Sequence, residues 1–387
     1  MKKNLLPKSL SFSFASRLAL AALMFGSSLI GCTTLNRGST PLAKREVAPG
    51  PRVSVMSFNA ENLFDNTHDE GKDDYTYLPL AVKQATPAYL AACEQVSNNF
   101  HRKECLETDW NDEVLSKKLG RVAEVIQQVN DGRGPDIQVL IEVENKNVLE
   151  MLRSRLTKSD YKTSILLEGP DKRGIDPAIL SRLPEWDKPR LHIIPLKART
   201  KKDEYPATYT RGILEARLVL PDGQKIAFFA IHLPSQQNPA YLREQAVAYI
   251  NQLKKELPPD VLAMGAGDFN ISSEEDEELG FFSKTLASEW AITHKIGCKG
   301  CEGTHYYRPG RSWSFLDAIL FTDAMTPAGG AKWKVDAESI RTPNQTPHQM
   351  SKWATPLRWD ENAEKGVSDH WPIYAEIYKP LTSAASK

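Results

Sequence analysis

The sequence predicts a layered α/β or α+β domain, on three observations. Short runs rich in Val, Ile, Leu and Phe, most of them four to eight residues long, recur from residue 52 to near the C-terminus. Runs of that length and composition read as buried strands. Longer segments with apolar residues at helical spacing lie between them, and such interleaving argues for stacked layers and against an all-β sandwich. The composition is also that of a globular chain: 387 residues, 41% hydrophobic and 25% charged, with 49 Lys+Arg against 49 Asp+Glu. That balance excludes a collagen-like or wholly disordered polypeptide, and a protein that binds nucleic acid by bulk positive charge.

The elements follow in chain order. Residues 1–31 carry Lys2, Lys3, Lys8 and Arg17 and no acid, then an apolar run from Leu18 to Phe25 and on to Leu29-Ile30-Gly31-Cys32. A basic region, a short apolar region and small residues at a processing site form an export signal. The run is too short and too interrupted by Ser for a membrane span. Leu29-Ile30-Gly31-Cys32 resembles the bacterial lipobox, whose cysteine becomes the lipidated first residue of the mature chain; an ordinary signal peptide or an uncleaved anchor is the alternative. Thr33 in place of Asp implies, by the same resemblance, sorting to an outer membrane. The expected location is therefore the cell envelope, as an outer-membrane lipoprotein or a secreted protein, and the expected state is a monomer. Without residues 1–31 the chain holds 45 basic and 49 acidic residues, a net charge of −4. Residues 32–51, rich in Thr, Pro, Gly and Ser, read as a tether. Residues 52–380 read as one domain with no visible internal repeat, and 381–387 as a tail.

Within the domain the strand candidates are Val53–Phe58, Ile137–Val143, Ser164–Leu167, Ala178–Leu180, Leu214–Leu220, Ile226–Leu233, Val261–Met264, Leu316–Phe321 and Trp371–Ile377. Thr108-Asp109 is expected to cap a helix whose Val114, Leu115, Leu119, Val122, Val125, Ile126 and Val129 recur at helical spacing up to Asp131-Gly132. Lys146–Leu156 and Tyr241–Leu257 read as two more helices, the second stopped by Pro258-Pro259. The acidic run Glu274–Glu278 reads as a solvated helix start. Segments 65–107 and 324–364 look inserted. Beyond Cys32 four cysteines remain, and in an oxidising compartment Cys93 with Cys105 and Cys298 with Cys301 read as two local disulfides. The spacing of His294, Cys298, Cys301 and His305 leaves tetrahedral zinc as the alternative at the second pair.

Function is expected where polar residues stand at the ends of these runs. Asn59 follows the first run, Glu142 lies in the second, His232 ends the Ile226 run, and Asp268-Phe269-Asn270 follows Gly265-Ala266-Gly267. Asp317 opens the Leu316 run, and Ser368-Asp369-His370 precedes Trp371-Pro372. A buried charge without a partner costs several kcal/mol. Carboxylates, amides and imidazoles so placed would be satisfied by a divalent cation and phosphate oxygens, and hard oxygen donors suit Mg²⁺ or Mn²⁺.

The order Ser57-Phe58-Asn59-Ala60-Glu61-Asn62-Leu63, Ile141-Glu142-Val143-Glu144, Ile231-His232-Leu233-Pro234-Ser235, Gly267-Asp268-Phe269-Asn270, Leu316-Asp317-Ala318-Ile319 and Ser368-Asp369-His370-Trp371-Pro372 is similar to the endonuclease/exonuclease/phosphatase superfamily. That group includes pancreatic-type deoxyribonucleases, abasic-site endonucleases, bacterial neutral sphingomyelinases and inositol-polyphosphate 5-phosphatases. The resemblance implies a four-layer sandwich of two packed mixed β-sheets flanked by helices, with the active site where strand ends meet. It implies Mg²⁺ held by Glu142 and Asn59, with Asp369 on the far side of the metal. His370 is implied as the general base, oriented by Asp317. Asp268 and Asn270 would position the nucleophile and a phosphate oxygen, and His232 would face the phosphate from the opposite side. Arg173 is a candidate to approach the phosphate and Asp176 to orient His232; a mutual Arg173–Asp176 pair in a turn is the alternative. Two departures from the family pattern, Ala230 and Ala318, remove polar contacts behind the site.

The implied substrate is a phosphate ester, first of all DNA or RNA, with Lys172, Arg173, Arg199, Lys201, Lys202 and Arg211 as candidates for a basic groove. A phospholipid phosphodiesterase of sphingomyelinase type or an inositol-phosphate phosphatase is the second reading. There Trp353 and Trp359 would either enter a membrane or, as the simpler expectation, anchor the packing of the 324–364 segment. A surface binding lipoprotein with a dead hydrolase domain is the third.

Overall fold

The computed structural model of the protein describes residues 50–361 and 365–381; the leader, Cys32, most of the tether and the last six residues lie outside the described residues. In chain order the strands are β1 (Arg52–Leu63), β2 (Ile137–Val143), β3 (Thr163–Leu166), β4 (Asp176–Ser181), β5 (Glu185–His192), β6 (Ile213–Val219), β7 (Lys225–His232), β8 (Leu262–Asp268), β9 (Trp290–Ile292), β10 (His305–Tyr307), β11 (Ser312–Ser314), β12 (Asp317–Thr322), β13 (Lys334–Arg341) and β14 (Ile373–Tyr378). Two six-stranded sheets form, in the orders β13-β14-β1-β2-β4-β3 and β5-β6-β7-β8-β12-β9, and β10 pairs with β11 in a separate hairpin. Each sheet has one parallel pair near its centre, β1 with β2 and β7 with β8, among antiparallel neighbours. The two sheets therefore repeat one arrangement that no sequence repeat announces.

Helices α1 (Leu80–Ala85), α2 (Pro87–Glu94), α3 (Asn99–Glu107) and α4 (Asp112–Gln127) lie between β1 and β2, and α5 (Lys146–Arg155) follows β2. Helix α6 (Glu204–Thr208) precedes β6, α7 (Ala240–Lys255) connects β7 to β8, and α8 (Ser273–Leu279) follows β8. The period of two along each strand sorts its side chains into layers. Val53, Val55, Ile137, Val139, Ile226, Phe228, Met264, Ala266, Ile319 and Phe321 pack between the sheets. Met56, Phe58 and Leu140 turn outward onto Leu119, Val122 and Ile126 of α4 and Leu149 of α5. Ala227, Phe229, Ile231 and Ala263 turn outward onto Val247 and Ile250 of α7. Burying each large apolar side chain contributes about 1.5–3 kcal/mol, so these faces fix the strand register.

Several expectations are corrected. Asn111, not Thr108-Asp109, caps α4, its side chain accepting from Glu113 and Val114 N–H; Asp109 accepts from Leu80 N instead. The helix ends at Gln127, and Asp131-Gly132 lie in a separate short turn. The 324–364 segment supplies β13, an edge strand of the first sheet. Both disulfides form, Cys93–Cys105 and Cys298–Cys301. The zinc alternative has no thiolates left, and its two histidines point elsewhere: His294 stacks on Phe315, whereas His305 lies beside His370. The acidic run does start a helix, capped by Ser272. Among the described residues no helix is long and apolar enough to cross a membrane.

Candidate active site

Strand direction gathers the polar residues at one edge of both sheets. The parallel strands β1, β2, β7 and β8 end there, and β12 and β14 begin there because they run antiparallel to β8 and β1. In register, His232 sits opposite Asp268 and Asp268 opposite Asp317, so three functional side chains form one row across three strands. The parity that places Phe228, Met264 and Ile319 between the sheets continues to His232, Asp268, Asp317 and Asn59. Glu142 breaks this parity. Its φ of 65° lies in the left-handed region, and the β1–β2 and β2–β4 registers shift around it. The break brings its carboxylate to Asn59 and His232. Gly267 allows the close approach of β7 and β8: at its φ of 154° a Cβ would stand 1.8 Å from Ile231 O.

The contacts are specific. His370 Nδ1 and Asp317 Oδ2 are 2.6 Å apart, both residues buried. His370 N donates to Ser368 Oγ, which donates to Asn59 O. Asn59 Nδ2 donates to Asp268 Oδ2 at 3.0 Å and lies 3.5 Å from Glu142 Oε1, while its Oδ1 accepts from Glu61 N. Glu142 Oε2 accepts from Asn62 N. Asp268 Oδ1 accepts from Asn270 N, and Asn270 Nδ2 donates to Leu233 O. His232 Nε2 stands 3.9 Å from both Glu142 Oε1 and Asp268 Oδ2, and His370 Nε2 is also 3.9 Å from Asp268 Oδ2. Two imidazoles thus face one carboxylate oxygen from opposite sides, beyond hydrogen-bond reach.

Charge follows from this packing. Burial opposes ionisation of His370, yet the charge and hydrogen bond of Asp317, with Asp268 and Asp369, raise it well above its usual value. Burial, then the cations Arg211, Arg173 and His370, hold His232 well below its usual value, so it is neutral. Burial, with Asp317 adding to it and His370 opposing, pushes Asp268 up to about 7. Burial works to raise Asp369, but His370, Arg358 and His305 together hold it below its usual value.

These residues fit a hard divalent cation. Glu142 and Asp268 are carboxylates with no Lys or Arg ion pair among the described residues, and the Asn59 carbonyl oxygen has a second lone pair free to coordinate. Asp369 is differently engaged: its Oδ2 is 3.8 Å from Arg358 Nε, its Oδ1 is 3.9 Å from His370 Nε2, and its N–H goes to Glu61. Another carboxylate group, Asp69, Asp74 and Glu144, gathers near the end of β2. Burial and the charge of Asp65 push Glu144 there up to about 9.

Two sequence candidates take other partners. Arg173 Nη2 donates to Asn62 Oδ1 at 2.8 Å, and Asp176 Oδ1 accepts from Gly169 N. Among the described contacts they neither pair with each other nor join Asp176 to His232, whose Nδ1 is buried without a partner, as is Asp176 Oδ2. Three residues near the site are given no role in it by the sequence reading. Glu61, inside the quoted first motif, accepts from Arg358 Nε and from Trp359 and Asp369 N. Arg358 comes from the 324–364 segment, where nothing in the sequence marks it. His305 forms a bridge with His370, ring centroids 5.1 Å apart. Of the two tryptophans, Trp359 packs on Trp110 beneath Lys118 and Arg121, whereas Trp353 is 71% exposed and anchors nothing.

The profile of the Endonuclease/Exonuclease/phosphatase family matches residues 91–379. No curated protein sequence matches the chain. Among solved structures, a D. rerio TDP2 humanized by 14 mutations superposes with a TM-score of 0.52 at 16% identity, over 85% of this chain and 99% of that one. An endonuclease/exonuclease/phosphatase from Beutenbergia cavernae gives 0.50 at 15% identity, over 86% and 73%. At such identity the likeness bears on the fold, whose two mixed sheets and flanking helices they share.

Proposed function

The chain belongs to the endonuclease/exonuclease/phosphatase family, and from that premise we propose that it is an exported, Mg²⁺-dependent phosphodiesterase that hydrolyses DNA or RNA by attack of a histidine-activated water on phosphorus. The observation that carries the reading is the buried His370–Asp317 pair facing His232 across Asp268. Asp317 accepts from Nδ1 of His370 and fixes the tautomer, so Nε2 is the atom that takes a proton from water. Asp268 and Asn270, locked together through the Asn270 N–H, orient that water and a phosphate oxygen. His232, held neutral in the free site, donates a hydrogen bond to the phosphate. Glu142 and Asn59 would hold Mg²⁺ or Mn²⁺, with Asp369 as the third candidate ligand. When bound, the cation supplies Lewis-acid stabilisation of the charge that develops on phosphate oxygens. Arg173, exposed beside Asn62, serves the substrate phosphate. The lipobox resemblance supports a lipid on Cys32 and an envelope location.

A phospholipid or inositol-phosphate ester is the second reading, favoured by one observation: Trp353 is exposed beside Lys352, whose ammonium lies 4.8 Å from its ring centroid. Amphipathic rings of this kind settle at membrane interfaces. The purified protein with Mg²⁺, offered plasmid DNA, RNA, sphingomyelin and inositol phosphates, separates the two. The nuclease reading requires cleavage of DNA or RNA, and intact nucleic acid alongside a cleaved lipid or inositol ester ends it.

A further inference from the structure

Helix α6 presents aromatic surface beside the site that the mechanism leaves unused. Tyr205 and Tyr209 are one turn apart, with ring centroids 4.8 Å apart and planes at 49°. Tyr205 is 56% exposed. The Lys172 ammonium stands 5.3 Å from the Tyr209 ring centroid.

This pair is tied to the catalytic edge from both sides. On one side Arg173, next to Lys172, donates to Asn62, whose N–H holds Glu142. On the other, Arg211, two residues beyond Tyr209, donates to the carbonyl of Leu233, the residue after His232. Three exposed cations, Arg173, Lys201 and Lys202, stand against two exposed acids, Asp73 and Glu204, while Asp171 and Asp203 are engaged by Arg211 and by Thr200 and Tyr241. An exposed aromatic face bordered by cations is what a nucleobase with its flanking phosphate needs: the base stacks on the ring and the phosphate meets the ammonium or guanidinium.

We propose that Tyr205 and Tyr209, with Lys172 and Arg173, form a base-stacking subsite that takes an unpaired nucleobase next to the scissile phosphate, so that the enzyme prefers single-stranded or frayed nucleic acid to duplex. This rests on the nuclease reading above. A base inside a duplex is already stacked and cannot lie on Tyr205 without being turned out, at an energetic cost that an unpaired base does not carry.

The test compares the full-length protein with Tyr205→Ala and Tyr205→Phe on a single-stranded oligonucleotide and on its duplex. Loss of one stacked base corresponds to about a 5–150-fold loss of affinity. Tyr205→Ala is expected to raise KM on the single strand by a factor in that range with kcat largely kept. The single-strand preference, as a ratio of kcat/KM values, should fall by the same factor, and Tyr205→Phe, which keeps the ring, should restore both. Binding of the single strand to a His370→Ala protein, with and without Tyr205→Ala, reads the same loss without turnover. If the intact protein cleaves nucleic acid but Tyr205→Ala leaves KM and the preference unchanged, the subsite is refuted while the nuclease reading stands. If it cleaves only a lipid or inositol ester, both fall.

Discussion

Replacing Asp317 by Asn tests the oriented base with little change of shape. Asp317 is fully buried, and its Oδ2 lies 2.6 Å from His370 Nδ1. Asparagine keeps the volume and removes the charge. An opposite charge at this range moves a titrating neighbour by about 1–3 pH units, and loss of general-base catalysis costs about 10²–10⁴-fold in rate. The direction follows from the protonation states. His370 must be neutral to accept a proton, and in the intact protein Asp317, Asp268 and Asp369 overcome burial to raise its pKa well above 6.5. Activity is therefore lost as pH falls through that raised value. Asp317→Asn should move this acidic limb of kcat/KM to lower pH by about 1–3 units while lowering the plateau. The stability linkage has a matching sign: a histidine raised on folding contributes stability that is fully present below its unfolded pKa and disappears as pH rises through its folded value. The variant's deficit in Tm should accordingly shrink as pH rises through the raised value. A pH–rate profile with an unmoved limb and an unchanged plateau would mean that Asp317 does not orient the base.

Three other outcomes are expected. Glu142→Gln removes a charged oxygen donor, so the Mg²⁺ concentration giving half-maximal activity should rise by about tenfold or more; calorimetric titration of Mn²⁺ checks this apart from turnover. Gly267→Ala would put a Cβ 1.8 Å from Ile231 O, forcing β7 from β8, and should cost about 2–6 kcal/mol by thermal denaturation. Cys32→Ser in cells should abolish incorporation of a labelled fatty acid and release the protein from the membrane fraction; continued labelling would remove the lipoprotein proposal.

The parts of the fold legible in the sequence are those that physical periodicity marks. Every apolar run named as a strand coincides with a strand of the two sheets; all but the edge strand β3 are interior strands, which are apolar throughout because both faces are buried. The overlooked strands have the opposite character. β5, Glu-Trp-Asp-Lys-Pro-Arg-Leu-His, is an edge strand with charged residues and a proline, the composition by which edges avoid pairing with other chains. β13 is the other sheet's edge, Lys-Val-Asp-Ala-Glu-Ser-Ile-Arg, and β9, β10 and β11 have three residues each, too few for any period. Within the site, Asn59, His232, Asp268 and Asp317 could be found because they extend a strand's inward register with a polar residue. Glu142 is marked as a polar residue in its apolar run, but the backbone break that turns its carboxylate into the site out of register is not legible. Arg358 and His305 come from a long loop and a short hairpin, and tertiary packing alone brings them to Asp369 and His370. Arg173 and Asp176 lie near the edge, but their partners, Asn62 and Gly169, are matters of loop geometry that spacing does not encode.

The proposed mechanism stands on His370 as the base of a metal-assisted hydrolysis. The most direct measurement is the turnover of plasmid DNA by His370→Ala at saturating Mg²⁺, alongside Mn²⁺ binding by the same protein. A fall in kcat of about 10²–10⁴-fold with metal affinity kept is expected. Near-normal turnover by the alanine variant would contradict it.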